Sequence, residues 1–305
     1  MSLLSHLVGA PGFRNGFAQV NGRRLHYVGV GSGELMIFIH GFPEFWGEWV
    51  GQLPEFGRDR LAVALDLCGY NLSSIPLDPA DYQIGRLVGD VKGLIEHFGC
   101  EKVTLAAHDW GGGVAWALAG RFPELVEKLI IINSPHPGVF ARELLLNPAQ
   151  REASAYMNVL RGPDAEAFLT ADNFAWLSAS LWGPDSRWRP SESEKQPYFE
   201  AWSRPGALTG GVNYYRASPL YPPQGPEDET RLEGLLGLAK SVFQVRVPTL
   251  VIWGELDQAL LPGNLVGLEE YVADLAVARI PDADHWVVHE KPDAVNRLIR
   301  DFLDG

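Results

Sequence analysis

Short, wholly apolar runs alternate with helical apolar spacing through most of the chain. Leu35 to Ile39 and Leu61 to Leu65 contain no polar position, which predicts strands buried on both faces. Arg24 to Val30 reads as a strand with a polar face, closed by Gly29-Val30-Gly31-Ser32-Gly33. From Ile84 to Phe98 the apolar residues Leu87, Val88, Val91, Leu94, Ile95 and Phe98 recur at helical spacing, and Gly99 supplies a stop. Val103 to Ala107 is predicted as a strand, Gly112 to Arg121 as a helix and Leu129 to Ile132 as a strand. The pattern resumes later: Thr249 to Trp253 a strand, Asn264 to Val272 a helix, Ala276 to Ile280 a strand, Pro292 to Leu303 a closing helix. Alternation of this kind predicts the α/β class, a mostly parallel central sheet with helices on both faces.

The interruption, residues 135–240, is richer in Trp, Tyr, Pro and Ser, and its helical patterns have no strands between them. Trp176, Trp182, Trp188 and Trp202 lie there. It is expected to be a helical lid inserted into a core formed by residues 1–134 and 241–305. Such an insertion can roof a pocket at the carboxyl ends of the strands, where open α/β sheets bind ligands. The plainer alternative is a structural subdomain with no part in chemistry. Ser218 to Thr230 reads as a Pro-rich, acidic loop, and no repeat or low-complexity tract interrupts the chain.

Composition narrows the classes. With 305 residues and 46% hydrophobic content the chain can bury one large core and a smaller subdomain. A formal net charge of -13 argues against a nucleic-acid or anionic-membrane surface. Cys68 and Cys100 do not suggest a disulfide framework and fit reduced thiols in a cytoplasmic protein. Met1 to Gly12 lacks the basic and long apolar regions of a leader, and no segment is apolar enough to span a bilayer. Assembly as a homo-oligomer is compatible with the sequence.

Val103 to Gly113 carries the chemistry. An apolar strand, an abrupt turn and a helix start rich in small residues have the layout of a nucleophile elbow, usually G-x-S-x-G, but the central residue here is Asp109. A carboxylate on a turn at a helix start is favoured in its ionised form and attacks an electrophilic sp3 carbon, leaving an alkyl ester. The expected substrates therefore shift from esters to epoxides or organohalides. An ordinary Asp at a helix N-terminus is the bland reading. His40-Gly41-Phe42-Pro43-Glu44 follows a buried strand where an oxyanion-hole donor is expected, the Phe42 N–H, with the Trp110 N–H as the second; a cis Phe42–Pro43 bond would fit the turn. Asp257 follows a late strand and His285 the final one. The order nucleophile, acid, histidine suits a triad in which Asp257 orients His285 and His285 activates water. Glu255 or Asp284 competes for the acid position, and His289 for the base.

These segments resemble the epoxide hydrolase branch of the α/β-hydrolase superfamily. The likeness also rests on Asp66 to Tyr70 with Ser73-Ser74, Asn133 to Pro137, and Asn213-Tyr214-Tyr215-Arg216. It implies that Tyr215 donates a proton to the epoxide oxygen, with Tyr156 as its partner, and that Trp110, Tyr156 and Tyr215 bind substrate. It implies epoxide and water as the reactants, a vicinal diol as product, and no metal or organic cofactor. A phenol of pKa ~10 is protonated at neutral pH and suits that role. Cys68 and Asn71-Leu72 depart from the family pattern. Haloacetate dehalogenases share the His40 and Asp109 segments but carry arginines after the nucleophile, where this chain has Trp110 and Gly113. Haloalkane dehalogenases share the Trp yet usually have Asn at the position of Phe42. A non-catalytic binding protein on the same scaffold is the remaining alternative.

Overall fold

The computed structural model describes residue 10 and residues 12–184, 186–238 and 240–305. The reading of Met1 to Gly12 as free of a leader falls largely outside them. Eight strands form one sheet: β1 (Phe13–Val20), β2 (Arg23–Gly31), β3 (Leu35–Ile39), β4 (Leu61–Leu65), β5 (Val103–His108), β6 (Val126–Ile132), β7 (Thr249–Gly254) and β8 (Leu275–Ile280). Their order across the sheet is β1-β2-β4-β3-β5-β6-β7-β8. β1 and β2 pair antiparallel, as do β2 and β4; every later pairing is parallel. The α/β class and the mostly parallel sheet are therefore as expected.

Burial follows the strand chemistry. β3, β5 and β7 are buried at every position, as apolar central strands flanked on both faces must be. Helices Ile84–His97 and Asp109–Arg121 pack on each other and against the sheet. The short helix Leu53–Phe56 and the closing helix Pro292–Asp304 meet through Arg300, which pairs with Glu55 and Asp59 and lies over the Phe56 ring. Lys128 caps the closing helix by donating to the Phe302 and Leu303 carbonyls.

Three expectations change. β1 was not read as a strand because only Ala18 and Val20 are buried in it. Its hairpin is nonetheless written in Asn21-Gly22, both at positive φ, the two-residue turn that matches strand twist. The helix expected over 264–272 is instead two 3-10 turns, Pro262–Leu265 and Leu268–Glu270. Gly267 at φ 75 separates them and breaks the helical path that the apolar spacing suggested. Part of the acidic stretch 218–230 is also helical: Pro226–Leu236 starts with Pro followed by Glu227, Asp228 and Glu229, which suit a helix N-terminus. Between β6 and β7 the described elements are helices and short turns, Pro137–Leu146 through Lys240–Val242. The segment Ala165–Trp182 is broken at Ala171, and the next three residues, Asp172 to Phe174, take positive φ.

Because β3, β5, β6, β7 and β8 run in parallel, their carboxyl ends open on one side of the sheet. β5 passes into the helix Asp109–Arg121 with no intervening loop, and Asp109 itself takes φ 48. Gly111 permits the close packing of that helix start. A Cβ there would sit 2.3 Å from the Ile39 carbonyl oxygen and 2.5 Å from that of His40. At Gly113 the nearest atom to a built Cβ is 3.9 Å away. Gly111→Ala should therefore lower stability by about 1–3 kcal/mol through overpacking, whereas Gly113→Ala should raise it by roughly 0.5–1 kcal/mol through helix propensity. Thermal or urea unfolding of the pair measures this, and equal effects would contradict the packing described.

Candidate active site

A cavity of about 330 Å³ opens at the carboxyl ends of the parallel strands, beneath the helices that follow β6. Asp109 and His285 line it together with Phe42, Tyr156, Trp176 and Tyr215. Among the described residues no lysine or arginine lines it.

Asp109 reaches the cavity because of its left-handed backbone, rare for a residue with a side chain. Ser134 Oγ donates to the Asp109 carbonyl at 2.6 Å, which helps hold that conformation. The Phe42 N–H donates to Asp109 Oδ1 at 2.8 Å. The Phe42–Pro43 bond is cis. Gly41 must be glycine, because a Cβ there would lie 2.3 Å from the Cβ of Asp109. His40, expected only as part of this segment, is buried and has both ring nitrogens engaged. Nδ1 donates to the Gly41 carbonyl at 2.8 Å and Nε2 accepts from the Leu67 N–H at 3.0 Å, so the ring is a neutral brace.

His285 lies between two carboxylates. Its Nδ1 donates to Asp257 Oδ2 at 2.7 Å, and its Nε2 stands 3.7 Å from Asp109 Oδ2. Asp257 is buried but fully satisfied. Oδ1 accepts from the Ala259 and Leu260 N–H groups, and Oδ2 also accepts from Asn133 Nδ2 at 2.8 Å. Burial would raise the Asp257 pKa, yet the His285 charge and these donors hold it below the ordinary carboxylate value. Burial likewise pulls His285 down, but Asp257 and Asp109 outweigh it and raise the imidazole to about 9. The competitors are engaged otherwise: Glu255 pairs with Arg279, His289 pairs with Glu44, and Asp284, although it lines the cavity and its charge also raises His285, accepts through Oδ1 from the Trp286 N–H. Asn133 is a residue that sequence reasoning quoted without a role. It also accepts from the Gly254 N–H, tying β6 to β7 beneath Asp257.

The two tyrosines come from different helices, Tyr156–Arg161 and Ala207–Ala217, and meet with ring centroids 6.2 Å apart. Burial raises both phenols well above their ordinary value, and the charge of Asp109 adds to it, so both remain protonated. Tyr214, next to Tyr215, points away and donates to the Cys68 carbonyl at 2.7 Å. Trp110 is not part of the cavity wall; its ring stands edge-on to Tyr215 at 5.1 Å.

With this geometry in view, comparison with known proteins is specific. Residues 34–292 match the family model described as alpha/beta hydrolase fold. The chain is 34% identical to human epoxide hydrolase 4 over 93% of its own length and 76% of that protein. It is 36% identical to the AB hydrolase superfamily protein YfhM of Bacillus subtilis, covering 94% and 96%. A crystal structure of a variant epoxide hydrolase from Bacillus megaterium superposes with a TM-score of 0.87 at 38% identity, covering 95% of this chain and all of that one. The chain belongs to the α/β-hydrolase family, in its epoxide hydrolase branch.

The flanking carboxylates raise His285 above the ordinary imidazole value. In NMR titration of the free protein, His285 should titrate near about 9. Asp257→Asn, which removes the carboxylate with the larger effect on the imidazole, should lower that midpoint. A midpoint at or below the ordinary 6.5 in the intact protein would contradict the arrangement.

Proposed function

We propose that this hydrolase opens small-molecule epoxides to vicinal diols through an ester of Asp109. The observation that carries the reading is the convergence on one cavity of three things: the Asp109 carboxylate, the His285–Asp257 pair and the protonated phenols of Tyr215 and Tyr156. The kinship with epoxide hydrolases supports the substrate class. Among the described residues no lysine or arginine lines the cavity, which disfavours haloacetate, whose carboxylate would have no guanidinium or ammonium to clamp it.

Asp109 Oδ1 is already engaged by the Phe42 N–H, which leaves Oδ2 as the attacking atom. Oδ2 bonds to an epoxide carbon as that carbon's bond to oxygen breaks. The developing alkoxide takes a proton from Tyr215, with Tyr156 sharing the charge, and a hydroxyalkyl ester results. Ester formation removes the negative charge of Asp109, which with Asp257 and Asp284 holds His285 protonated. The imidazole pKa then falls, its proton restores the phenol, and neutral His285 becomes the base. Water attacks the ester carbonyl carbon and gives its proton to His285. The former carbonyl oxygen, Oδ1, becomes an oxyanion facing the Phe42 N–H, with the Trp110 N–H as second donor. Collapse breaks the bond from the ester carbon to Oδ2 and releases the diol, which takes the proton from His285. The carboxyl group left on Asp109 then gives the second proton of the water to His285, restoring the carboxylate and the imidazolium. The helices over residues 135–240 act as the lid, supplying both tyrosines and enclosing the reaction. No metal or organic cofactor enters these steps.

The ester step and the water step separate experimentally. His285→Gln should slow hydrolysis by about 10²–10⁴-fold, so intact-protein mass after incubation with styrene oxide should rise by one epoxide. Asp109→Ala should show no adduct and no turnover. An unmodified mass in His285→Gln protein, or activity in Asp109→Ala, would remove the ester from the scheme. Tyr215→Phe should slow adduct formation by roughly 10²-fold with little effect on adduct hydrolysis; equal slowing of both would make Tyr215 a packing residue.

A further inference from the structure

Glu48 is a carboxyl group that the chemistry above does not use. It lies in the turn Trp46–Trp49 and is buried among aromatic residues. Its Oε1 sits 2.6 Å from Nδ1 of His108 without the alignment of a hydrogen bond, and neither carboxyl oxygen nor Nδ1 has another partner. His108 is the residue before Asp109 and is fully buried. Its Nε2 donates to the backbone carbonyl of His285 at 2.9 Å, and the two rings lie 4.6 Å apart. The chain of contacts therefore runs from Glu48 through His108 to the main chain of the general base.

The proton on this chain is fixed by elimination. Nε2 of His108 faces a carbonyl, which only accepts, so it carries a hydrogen. Nδ1 and Glu48 Oε1 are closer than nitrogen and oxygen lie without a proton between them. If His108 were the cation, Glu48 would be a buried anion with Oε2 bare of donors, an expensive arrangement. The charged and titratable groups around it are Glu44, paired with His289 at 2.8 Å, then Asp109 and His285. Burial, reinforced by the Glu44 and Asp109 carboxylates, drives Glu48 well above its ordinary value despite the opposing histidines. Burial, reinforced by the His285 charge, drives His108 down to about 3. Both directions agree with a neutral pair.

We infer that Glu48 is a positioning residue. As a neutral acid it donates to His108 Nδ1, locks His108 as the Nε2–H tautomer, and through that N–H holds the His285 backbone where its ring serves Asp109. The inference rests on the Asp109-ester reading, because the step it governs is hydrolysis of that ester. Formation of the ester needs Asp109 and the tyrosines and should not feel Glu48.

The test is rapid-quench kinetics with styrene oxide, following protein-bound adduct by intact mass. Glu48→Ala should slow adduct hydrolysis about tenfold or more, in the range for groups that orient a functional histidine, and leave adduct formation within about twofold. It should also move the pH midpoint of hydrolysis. Glu48→Gln keeps a donor for Nδ1 and should restore both rate and midpoint. Hydrolysis unchanged in Glu48→Ala, or Glu48→Gln as slow as Glu48→Ala, overturns the inference. Should Glu48→Ala fail to fold, the 15N shifts of His108 in the unaltered protein decide it: a neutral Nε2–H ring that does not titrate from about pH 5 to 9 supports the neutral acid, and an imidazolium overturns it. Absence of adduct in the unaltered protein and both variants refutes the Asp109 ester and takes this inference with it, an outcome distinct from an adduct that ignores Glu48.

Discussion

The left-handed turn at Asp109 is the constraint on which the site depends. A carboxylate-bearing residue at φ 48 is held only because its surroundings leave no alternative. Gly41 and Gly111 let two backbones close in on it, Ser134 Oγ binds its carbonyl, and the Phe42 N–H binds its side chain. Relaxing the turn would withdraw the carboxylate from the cavity and from His285 together. The strain is thus spent on aim: one carboxylate oxygen is seated on a backbone donor while the other faces the cavity.

Electrostatics then sets the order of events. Asp257 has each carboxylate oxygen bonded by two donors, so it stays ionised although buried. His285 is raised to about 9 by Asp257 and Asp109, with Asp284 adding to them. In the proposed scheme, converting Asp109 to an ester removes one of those charges, so the base becomes competent when there is an ester to hydrolyse. The same histidine would be less useful beside Asp257 alone in the resting protein, because nothing would then change between the two steps. The neutral brace of His40 and the buried Glu48–His108 pair border this centre without adding net charge of their own.

Much of this was legible in the letters. The apolar runs of β3, β4, β5 and β7 were read nearly to their ends, because strands buried on both faces have no polar position to confuse the pattern. Asp109, Asp257 and His285 were found from chain order and strand ends, and the structure brings them to one place. Tyr156 came through family likeness rather than spacing, since nothing local marks a lid tyrosine that faces a cavity. β1 escaped because an edge strand with two buried residues has no hydrophobic period, and the helix expected over 264–272 was a period without a continuous backbone. Glu48 was overlooked although its sign was visible: an acidic residue inside Phe45 to Trp49, where a charge can be buried only if something answers it. His108 was hidden by standing next to the residue that drew attention.

The central claim is that an oxygen of Asp109 becomes bonded to substrate carbon and leaves in the product. One turnover in 18O-labelled water, with enzyme in excess over styrene oxide, tests it directly. The account predicts unlabelled new oxygen in the first diol and 18O in the peptide that contains Asp109. Label appearing at once in the diol, with the peptide unlabelled, would contradict it.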